Sequence, residues 1–161
     1  MERKRTFTWE DPKIGAEKAK TLTGIDYLKA MKEGLIPPPP VIEMMDFSLE
    51  EIRTGNVTFS FIPKEFHYNP IGTVHGGVIS TLLDSAMGCT LHSILDQGTG
   101  YTTLELKINF MKAVTTSTEK LIASGKIIHS GKSTALVEAQ LKDENGAIYA
   151  HAVSTCMILR K

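Results

Sequence analysis

The residues best suited to chemistry lie between Asn69 and Asp84. Here a loop leads into the sequence His75-Gly76-Gly77, where apolar residues begin to recur at helical spacing. The first N–H groups of a helix have no partner within it, and its dipole is positive at that end. Because the two glycines carry no Cβ, an oxygen atom can approach these donors closely. The segment therefore suits an anion, or a carbonyl oxygen that gains negative charge during attack.

Asp84 places a carboxylate on the shoulder of the apolar face of this helix, at about 100° of rotation per residue. The residues that share its side are small: Gly77, Ser80 and Gly88. A partly exposed aspartate without a role, and a histidine that only begins a helix, are the alternative interpretations. The combination of His75, Asp84 and Asn69 favours a catalytic site.

His75 and Asp84 lie too far apart to serve one reacting centre within a single chain. Nine residues of helix separate them by about 13 Å along the axis and turn them by roughly 180°. If both take part in catalysis, the helix start of one subunit must face Asp84 of another. A two-fold dimer with two composite sites is the simplest arrangement that allows this, and a dimer of dimers is also open.

With these residues the chain resembles the hotdog-fold acyl-CoA thioesterases of the type found in phenylacetate degradation. The shared features are Asn69, the Gly-x-x-His-Gly-Gly motif at 72–77, Asp84, the segment 103–111 and the segment 131–133. The resemblance covers about residues 41–159. It implies an α+β hotdog fold, in which a curved antiparallel sheet wraps a long central helix, and hydrolysis of acyl-CoA to a free acid and coenzyme A.

The resemblance also implies a role for each of five catalytic residues. The Gly76 N–H would polarise the thioester carbonyl. Asp84 would act as general base on water, or as nucleophile through a mixed anhydride, and both roles stay open. Asn69 would donate a hydrogen bond or hold the attacking water, and His75 would brace the loop and Asn69. Thr103 matches a position at which relatives carry a hydroxyl that helps to position the water.

Coenzyme A is expected as part of the substrate and product, with no separate cofactor. The resemblance assigns its binding to Phe110 and to a turn formed by His129, Ser130, Gly131, Lys132 and Ser133. A glycine-containing turn with a lysine and hydroxyls offers donors to phosphates, although an ordinary hairpin turn has the same composition. Arg160 and Lys161 are secondary candidates for phosphate contacts.

Composition places limits on the other functions. The 18 basic and 18 acidic residues cancel, so no overall charge favours nucleic acid. No stretch is apolar and long enough to span a bilayer and no signal-peptide pattern opens the chain, so we expect a cytoplasmic protein that does not bind membranes. The histidines and the cysteines, Cys89 and Cys156, lack metal-ligand spacing, so no metal is expected.

The pattern of elements predicts two parts, an N-terminal helical arm with a proline linker (1–40) and a hotdog domain (41–161). Asp11-Pro12 is typical of a helix start, and Thr23 suits the cap of a second helix that ends near Gly34. The prolines at 37–40 favour an extended connector.

Strands are predicted at 41–48, 56–63, 101–112, 119–129, 133–142 and 147–159, with the helix before the third of them. In that third strand Leu104, Leu106, Ile108 and Phe110 alternate as a buried face. Strict alternation would turn Thr103 away from the helix. Thr103 can reach the site only if a bulge or the strand edge changes this pattern.

Two other function classes fit the same fold. A hotdog dehydratase of hydroxyacyl thioesters would need a catalytic histidine with an acidic partner across the interface. A non-catalytic acyl-CoA-binding module would leave Asp84 without a role.

Overall fold

A long helix packed against one face of a six-stranded antiparallel sheet forms the centre of the protein. The computed structural model describes residues 2–160, so Lys161 lies outside the described residues. The helix is α4 (Gly76–His92). The strands are β1 (Phe47–Arg53), β2 (Asn56–Phe61), β3 (Gly100–Phe110), β4 (Leu121–Ser130), β5 (Thr134–Lys142) and β6 (Ile148–Leu159). Their spatial order is β1-β2-β4-β5-β6-β3, which leaves β1 and β3 at the edges and confirms the predicted α+β hotdog architecture.

The core lies between α4 and the sheet. The residues that α4 buries are Val78, Ile79, Leu82, Leu83, Ala86, Met87, Gly88, Thr90 and Leu91. Gly125 of β4 lets the helix approach, because a Cβ there would lie 2.2 Å from Thr90 Oγ1 and 2.7 Å from the Ala86 carbonyl oxygen. Thr90 Oγ1 also accepts a hydrogen bond from the Val57 N–H at 3.1 Å. This close packing sets the depth of α4, and with it the position of Asp84.

A β-bulge at Leu104 decides which side chains of β3 face the helix. Thr103 lies opposite Cys156 and Glu105 lies opposite Thr155, so Leu104 is the extra residue. The predicted buried alternation is therefore wrong for Leu104, which is 52% exposed. It is also wrong for Phe110, which is 54% exposed at the end of the strand. The bulge shifts the alternation by one residue and turns Thr103 towards α4.

The N-terminal arm contains two capped helices, α1 (Pro12–Ala19) and α2 (Gly24–Lys32). Asp11 accepts a hydrogen bond from the Lys13 N–H at 2.9 Å, and Thr23 accepts one from the Asp26 N–H at 3.3 Å. Both predicted helix starts are confirmed. Side chains of this type satisfy N–H groups that the first turn leaves unpaired.

A third helix, α3 (Pro40–Met45), replaces part of the predicted connector and of the predicted strand at 41–48. Pro40 is the first residue of α3, a position where the fixed φ of proline favours a helix and its missing N–H costs nothing. Asp46 then adopts a left-handed conformation (φ 60°) that ends the helix before β1 begins at Phe47. The expected strand was wrong because the apolar residues of this segment follow a proline that starts a helix.

The arm is fixed to the carboxyl end of α4. The Gly24 N–H donates to the Leu95 carbonyl oxygen at 3.0 Å. A Cβ at Gly24 would lie 1.7 Å from the His92 carbonyl oxygen, so only glycine allows this approach. Leu28 and Ile36 of the arm are also buried. The arm is thus part of the packed structure.

Candidate active site

The start of α4 offers one backbone N–H to a ligand. His75 caps the helix, and its Nδ1 accepts a hydrogen bond from the Gly77 N–H at 2.8 Å. Among residues 2–160 the Gly76 N–H donates to no protein group. The ring of Phe110 lies beside it, since a Cβ on Gly76 would be 3.2 Å from Phe110 Cζ. Of the two glycines, Gly76 is therefore the one with a free donor.

Asn69 organises the loop that precedes α4. Its Nδ2 donates to Thr73 Oγ1 at 3.0 Å, and its Oδ1 accepts from the N–H groups of Ile71 and Thr73 at 3.1 and 3.2 Å. Gly72 has a φ of 81°, a conformation that favours glycine. Within the described residues, His75 and Asn69 form no side-chain hydrogen bond, although we expected His75 to support Asn69. The Asn69 side chain is hydrogen-bonded to Thr73 instead.

These residues line a cleft of about 320 Å³, which we call the Gly76 cleft. Its lining residues are Asn69, Thr73, Val74, Gly76, Ile79, Phe110, Met111, Lys112, Ala113 and Val114. The cleft combines a free N–H with a mixture of polar and apolar side chains, with Ile79 among the apolar ones. It can hold a carbonyl oxygen against Gly76.

Asp84 lies in a second cleft of about 180 Å³, the Asp84 cleft. Its lining residues are Met31, Pro39, Val41, Ile42, Phe59, Asp84, Ser85, Gly88, Cys89, Tyr101 and Thr103. The Thr103 hydroxyl donates to Asp84 Oδ1 at 2.9 Å, a contact that depends on the bulge at Leu104. Asp84 is partly buried, so its carboxylate faces a restricted space rather than open solvent.

Burial keeps the other titratable groups of this cleft uncharged. It raises the pKa of Cys89 to about 12, and the charge of Asp84 adds to the effect. Burial, followed by the nearby Cys89 and Asp84, also raises the pKa of Tyr101 well above its usual range. A thiol that stays protonated at neutral pH is a poor nucleophile. Asp84 is therefore the group in this cleft suited to act as a base or nucleophile.

The two clefts share no lining residue. One chain brings Asn69, Gly76 and Phe110 together at the start of α4, and it brings Asp84 and Thr103 together farther along the helix. Thr103 and Phe110 are seven residues apart on β3, which is about 23 Å of strand. A single chain thus holds two separate halves of the predicted catalytic set.

The predicted coenzyme A turn lies at the Thr103 end of the sheet. Ser130 pairs with Ala135, and Ala135 pairs with Cys156, the partner of Thr103. The exposed residues of the turn are His129, Ser130, Lys132 and Ser133. The Gly131 N–H donates to the Thr134 carbonyl oxygen at 2.8 Å, so it closes the turn itself. Phe110, the other predicted contact, lies opposite Ala150 at the far end of β3.

Sequence reasoning missed the residues that complete the Asp84 cleft, above all Tyr101 and Met31. Tyr101 crosses α4 at Gly88, where a Cβ would lie 2.6 Å from its hydroxyl oxygen. A glycine inside a helix is the signal that could have indicated this close approach. Met31 lies on the apolar side that the sequence assigns to α2, but only the fold directs that side to Asp84.

The described residues contain no group of three or more histidine, cysteine and acidic side chains placed to hold a metal ion. Within the same part of the chain, no helix is long and apolar enough to cross a membrane.

Known proteins are similar to this chain in sequence. Residues 71–150 match the model of the thioesterase superfamily. The chain is 28% identical over 138 residues to a protein of Saccharolobus solfataricus called "Putative esterase", covering 84% of this chain and 94% of that protein.

Solved structures agree with this match. A phenylacetic acid degradation-related protein of Ralstonia eutropha JMP134 is 23% identical, with a TM-score of 0.74 over 81% of this chain and 98% of that one. A Streptococcus mutans protein bound to acetyl-CoA is 26% identical, with a TM-score of 0.65 over 71% of this chain and 90% of that one. The protein therefore has the hotdog fold, and its residues 71–150 are similar to the thioesterase superfamily.

Proposed function

We propose that the protein is an acyl-CoA thioesterase whose active site is completed by a second copy of the chain. The observation that carries the proposal is the pair of half-sites on α4. One half is a free N–H at Gly76, and the other is the Asp84 carboxylate that accepts a hydrogen bond from Thr103. Together they supply an oxyanion donor and a base or nucleophile, which are the groups that thioester hydrolysis needs.

In the proposed reaction the thioester carbonyl oxygen binds the Gly76 N–H of one subunit, which stabilises the negative charge that develops on it. Asp84 of the other subunit takes a proton from water as the water oxygen attacks the carbonyl carbon. The C–S bond then breaks, and the sulfur of coenzyme A leaves and takes up the proton. Alternatively, an Asp84 oxygen attacks the carbonyl carbon, the C–S bond breaks and the coenzyme A thiolate leaves. Water then hydrolyses the mixed anhydride, which frees the acid and the Asp84 carboxylate, and the proton released goes to the thiolate. Thr103 holds the Asp84 carboxylate in either route.

The β3 edge strand supports a two-fold dimer. Its outer side pairs with no other strand among residues 2–160, and long unpaired edges are sites for pairing with another chain. Two copies of β3 related by a two-fold axis run antiparallel, so the Phe110 end of one lies against the Thr103 end of the other. Large apolar side chains are exposed near the Gly76 cleft, as expected for a covered surface: Ile71 (84%), Phe110 (54%) and Met111 (53%).

The comparisons support coenzyme A as part of the substrate. The thioesterase superfamily match and the esterase name of the Saccharolobus relative favour a hydrolase, and the Streptococcus relative binds acetyl-CoA. In the proposed dimer, antiparallel pairing also brings Phe110 of one subunit to the end of the sheet that carries the Gly131 turn of the other. These are the two elements assigned to coenzyme A.

The site favours hydrolysis over the two alternatives. A dehydratase needs a histidine that can exchange protons with the substrate, and the cap of α4 occupies His75 Nδ1 and leaves only Nε2 for that role. A non-catalytic binding protein would not need a carboxylate held by Thr103 in a partly buried cleft.

Replacement of Asp84 tests the proposal. Asp84→Asn keeps the shape of the side chain and a hydrogen-bond acceptor for Thr103, and it should lower kcat by about 10²–10⁴, the usual loss for a general base. Release of free thiol from acyl-CoA measures the rate, and thermal unfolding checks the fold. Activity of the Asn variant near the wild-type level would exclude the role of Asp84.

Subunit mixing tests the composite site. Gly76→Pro removes the N–H at a helix position where proline is tolerated, and Asp84→Ala removes the carboxylate. Each variant alone should be inactive. A mixed dimer carries both changes in one site and neither in the other, so exchange of subunits should restore activity. No recovery after demonstrated exchange would show that the site is not shared.

A further inference from the structure

We infer that the N-terminal arm forms one wall of the acyl-binding pocket, and that this pocket takes an apolar acyl group long enough to run along α4 from Asp84 to His92. The inference rests on the proposed function and adds to it the substrate class. It concerns residues outside the segment 71–150 that matches the thioesterase superfamily.

A second cavity continues the Asp84 cleft beneath the arm. This arm cavity has a volume of about 450 Å³ and lies between α1, α2, the carboxyl end of α4 and the start of β3. It shares four lining residues with the Asp84 cleft: Met31, Pro39, Cys89 and Tyr101. The two spaces therefore meet at these residues and form one groove that begins at the proposed reacting group.

The floor of the groove is a single face of α4. Asp84, Gly88 and His92 follow one another at intervals of four residues, which places them on one side of the helix. Eight residues of helix span about 12 Å, so the groove extends about that far from the Asp84 carboxylate. A two-carbon acyl group would occupy only its first part.

The opposite wall consists of arm residues. Met31 stands at the junction of the two spaces, and Leu28, Ala16 and Ala19 line the far part. Contact of Gly24 with the His92 carbonyl oxygen and burial of Leu28 hold the arm in place. Without the arm, this face of α4 would be open to solvent.

Apart from Asp84 and Lys20, the residues that line the groove carry no charge. Burial lowers the pKa of His92, so its imidazole is neutral at pH 7, and burial raises the pKa values of Tyr101 and Cys89. Lys20, the one charged side chain among the residues that line the arm cavity, is itself exposed to solvent. A groove of methionine, leucine, alanine and neutral rings binds apolar groups and excludes charged ones.

The test compares acetyl-CoA and octanoyl-CoA as substrates. In the wild type, kcat/KM should be higher for octanoyl-CoA by on the order of tenfold or more, because each buried methylene contributes roughly 0.8 kcal/mol. Met31→Trp fills the junction of the groove, and it should lower kcat/KM for octanoyl-CoA by about 10–100-fold. The loss for acetyl-CoA should be at least several-fold smaller, because its acyl group occupies only the first part of the groove, so the octanoyl-to-acetyl ratio of kcat/KM should fall.

Lys29→Trp is the matched control, because it introduces the same side chain on the exposed side of α2 and should change neither substrate. If the tryptophan disturbs folding, Met31→Glu repeats the test by placing a charge in the groove, with Lys29→Glu as its control. Equal losses on both substrates, or no change in the octanoyl-to-acetyl ratio with either Met31 variant, would overturn the arm as a pocket wall while leaving the thioesterase intact. No hydrolysis of any acyl-CoA by the wild type would overturn the proposed function itself.

Discussion

Thr103→Val removes the hydroxyl that holds Asp84 and should slow thioester hydrolysis without disturbing the fold. Valine has the shape of threonine and suits a strand, so packing against α4 is retained. The Thr103 hydroxyl is the one protein donor to Asp84 among the described residues. Without it, the carboxylate can rotate away from the geometry in which it acts on water or on the carbonyl carbon.

The size of the effect follows from the hydrogen bond. It joins Thr103 Oγ1 and Asp84 Oδ1 at 2.9 Å in a partly buried cleft. Hydrogen bonds to charged groups contribute about 1.5–3 kcal/mol, and solvent access to the cleft argues for the lower value. Each 1.36 kcal/mol corresponds to tenfold in rate, so kcat should fall about tenfold. KM should change little, since Thr103 positions the reacting group rather than the coenzyme A moiety.

The role of the Thr103 hydroxyl is tested by measuring kcat for thiol release in three variants at steady state. Thr103→Ser keeps the hydroxyl and should stay near the wild-type kcat, whereas Thr103→Val should not. Thr102→Val makes the same change on the adjacent, exposed residue of β3 and should have no effect. The reasoning fails if the valine variant matches the wild type, or if the serine variant loses as much as the valine variant.

Three further predictions follow from the structure. Lys132→Ala should raise KM for acyl-CoA a few-fold, because an exposed phosphate contact contributes roughly 0.2–1 kcal/mol, and the rise should be smaller at high salt. KM for short pantetheine thioesters should not change, and equal losses on both substrates would contradict the prediction. Gly125→Ala should lower the free energy of unfolding, measured in urea, by about 1–3 kcal/mol, because the new Cβ would meet Thr90 and Ala86. Gly100→Ala in β3 is the control, because its Cβ has room and the free energy of unfolding should not change. Burial lowers the pKa of His67, whose Nδ1 accepts from the Lys64 N–H at 3.0 Å. The unfolded state therefore binds more protons than the folded state below about pH 6.5, so the free energy of unfolding should fall as the pH drops through that value. The fall should be less steep in His67→Gln. The role of His67 would be refuted if urea unfolding of the two proteins showed the same dependence on pH.

Local signals in the sequence determined much of the fold. The periodicity of apolar residues predicted α4, and the caps at Asp11 and Thr23 predicted both arm helices. These features depend on neighbours within a few residues, so one-dimensional spacing contains them. The helix distance between His75 and Asp84 likewise predicted that one chain could not unite them, and the two separate clefts agree with that.

Tertiary structure alone decided how the halves of the site are built. The pairing of β3 with β6 creates the bulge at Leu104, and this register, rather than any local preference, directs Thr103 to Asp84. The sequence predicts that Pro40 belongs to an extended run of prolines, whereas in the structure Pro40 is the first residue of α3. The path of the arm across the carboxyl end of α4, which brings Met31 to the Asp84 cleft, depends on contacts between residues more than fifty positions apart. Side-chain spacing along one element cannot encode such contacts, because they arise only when separate elements pack together.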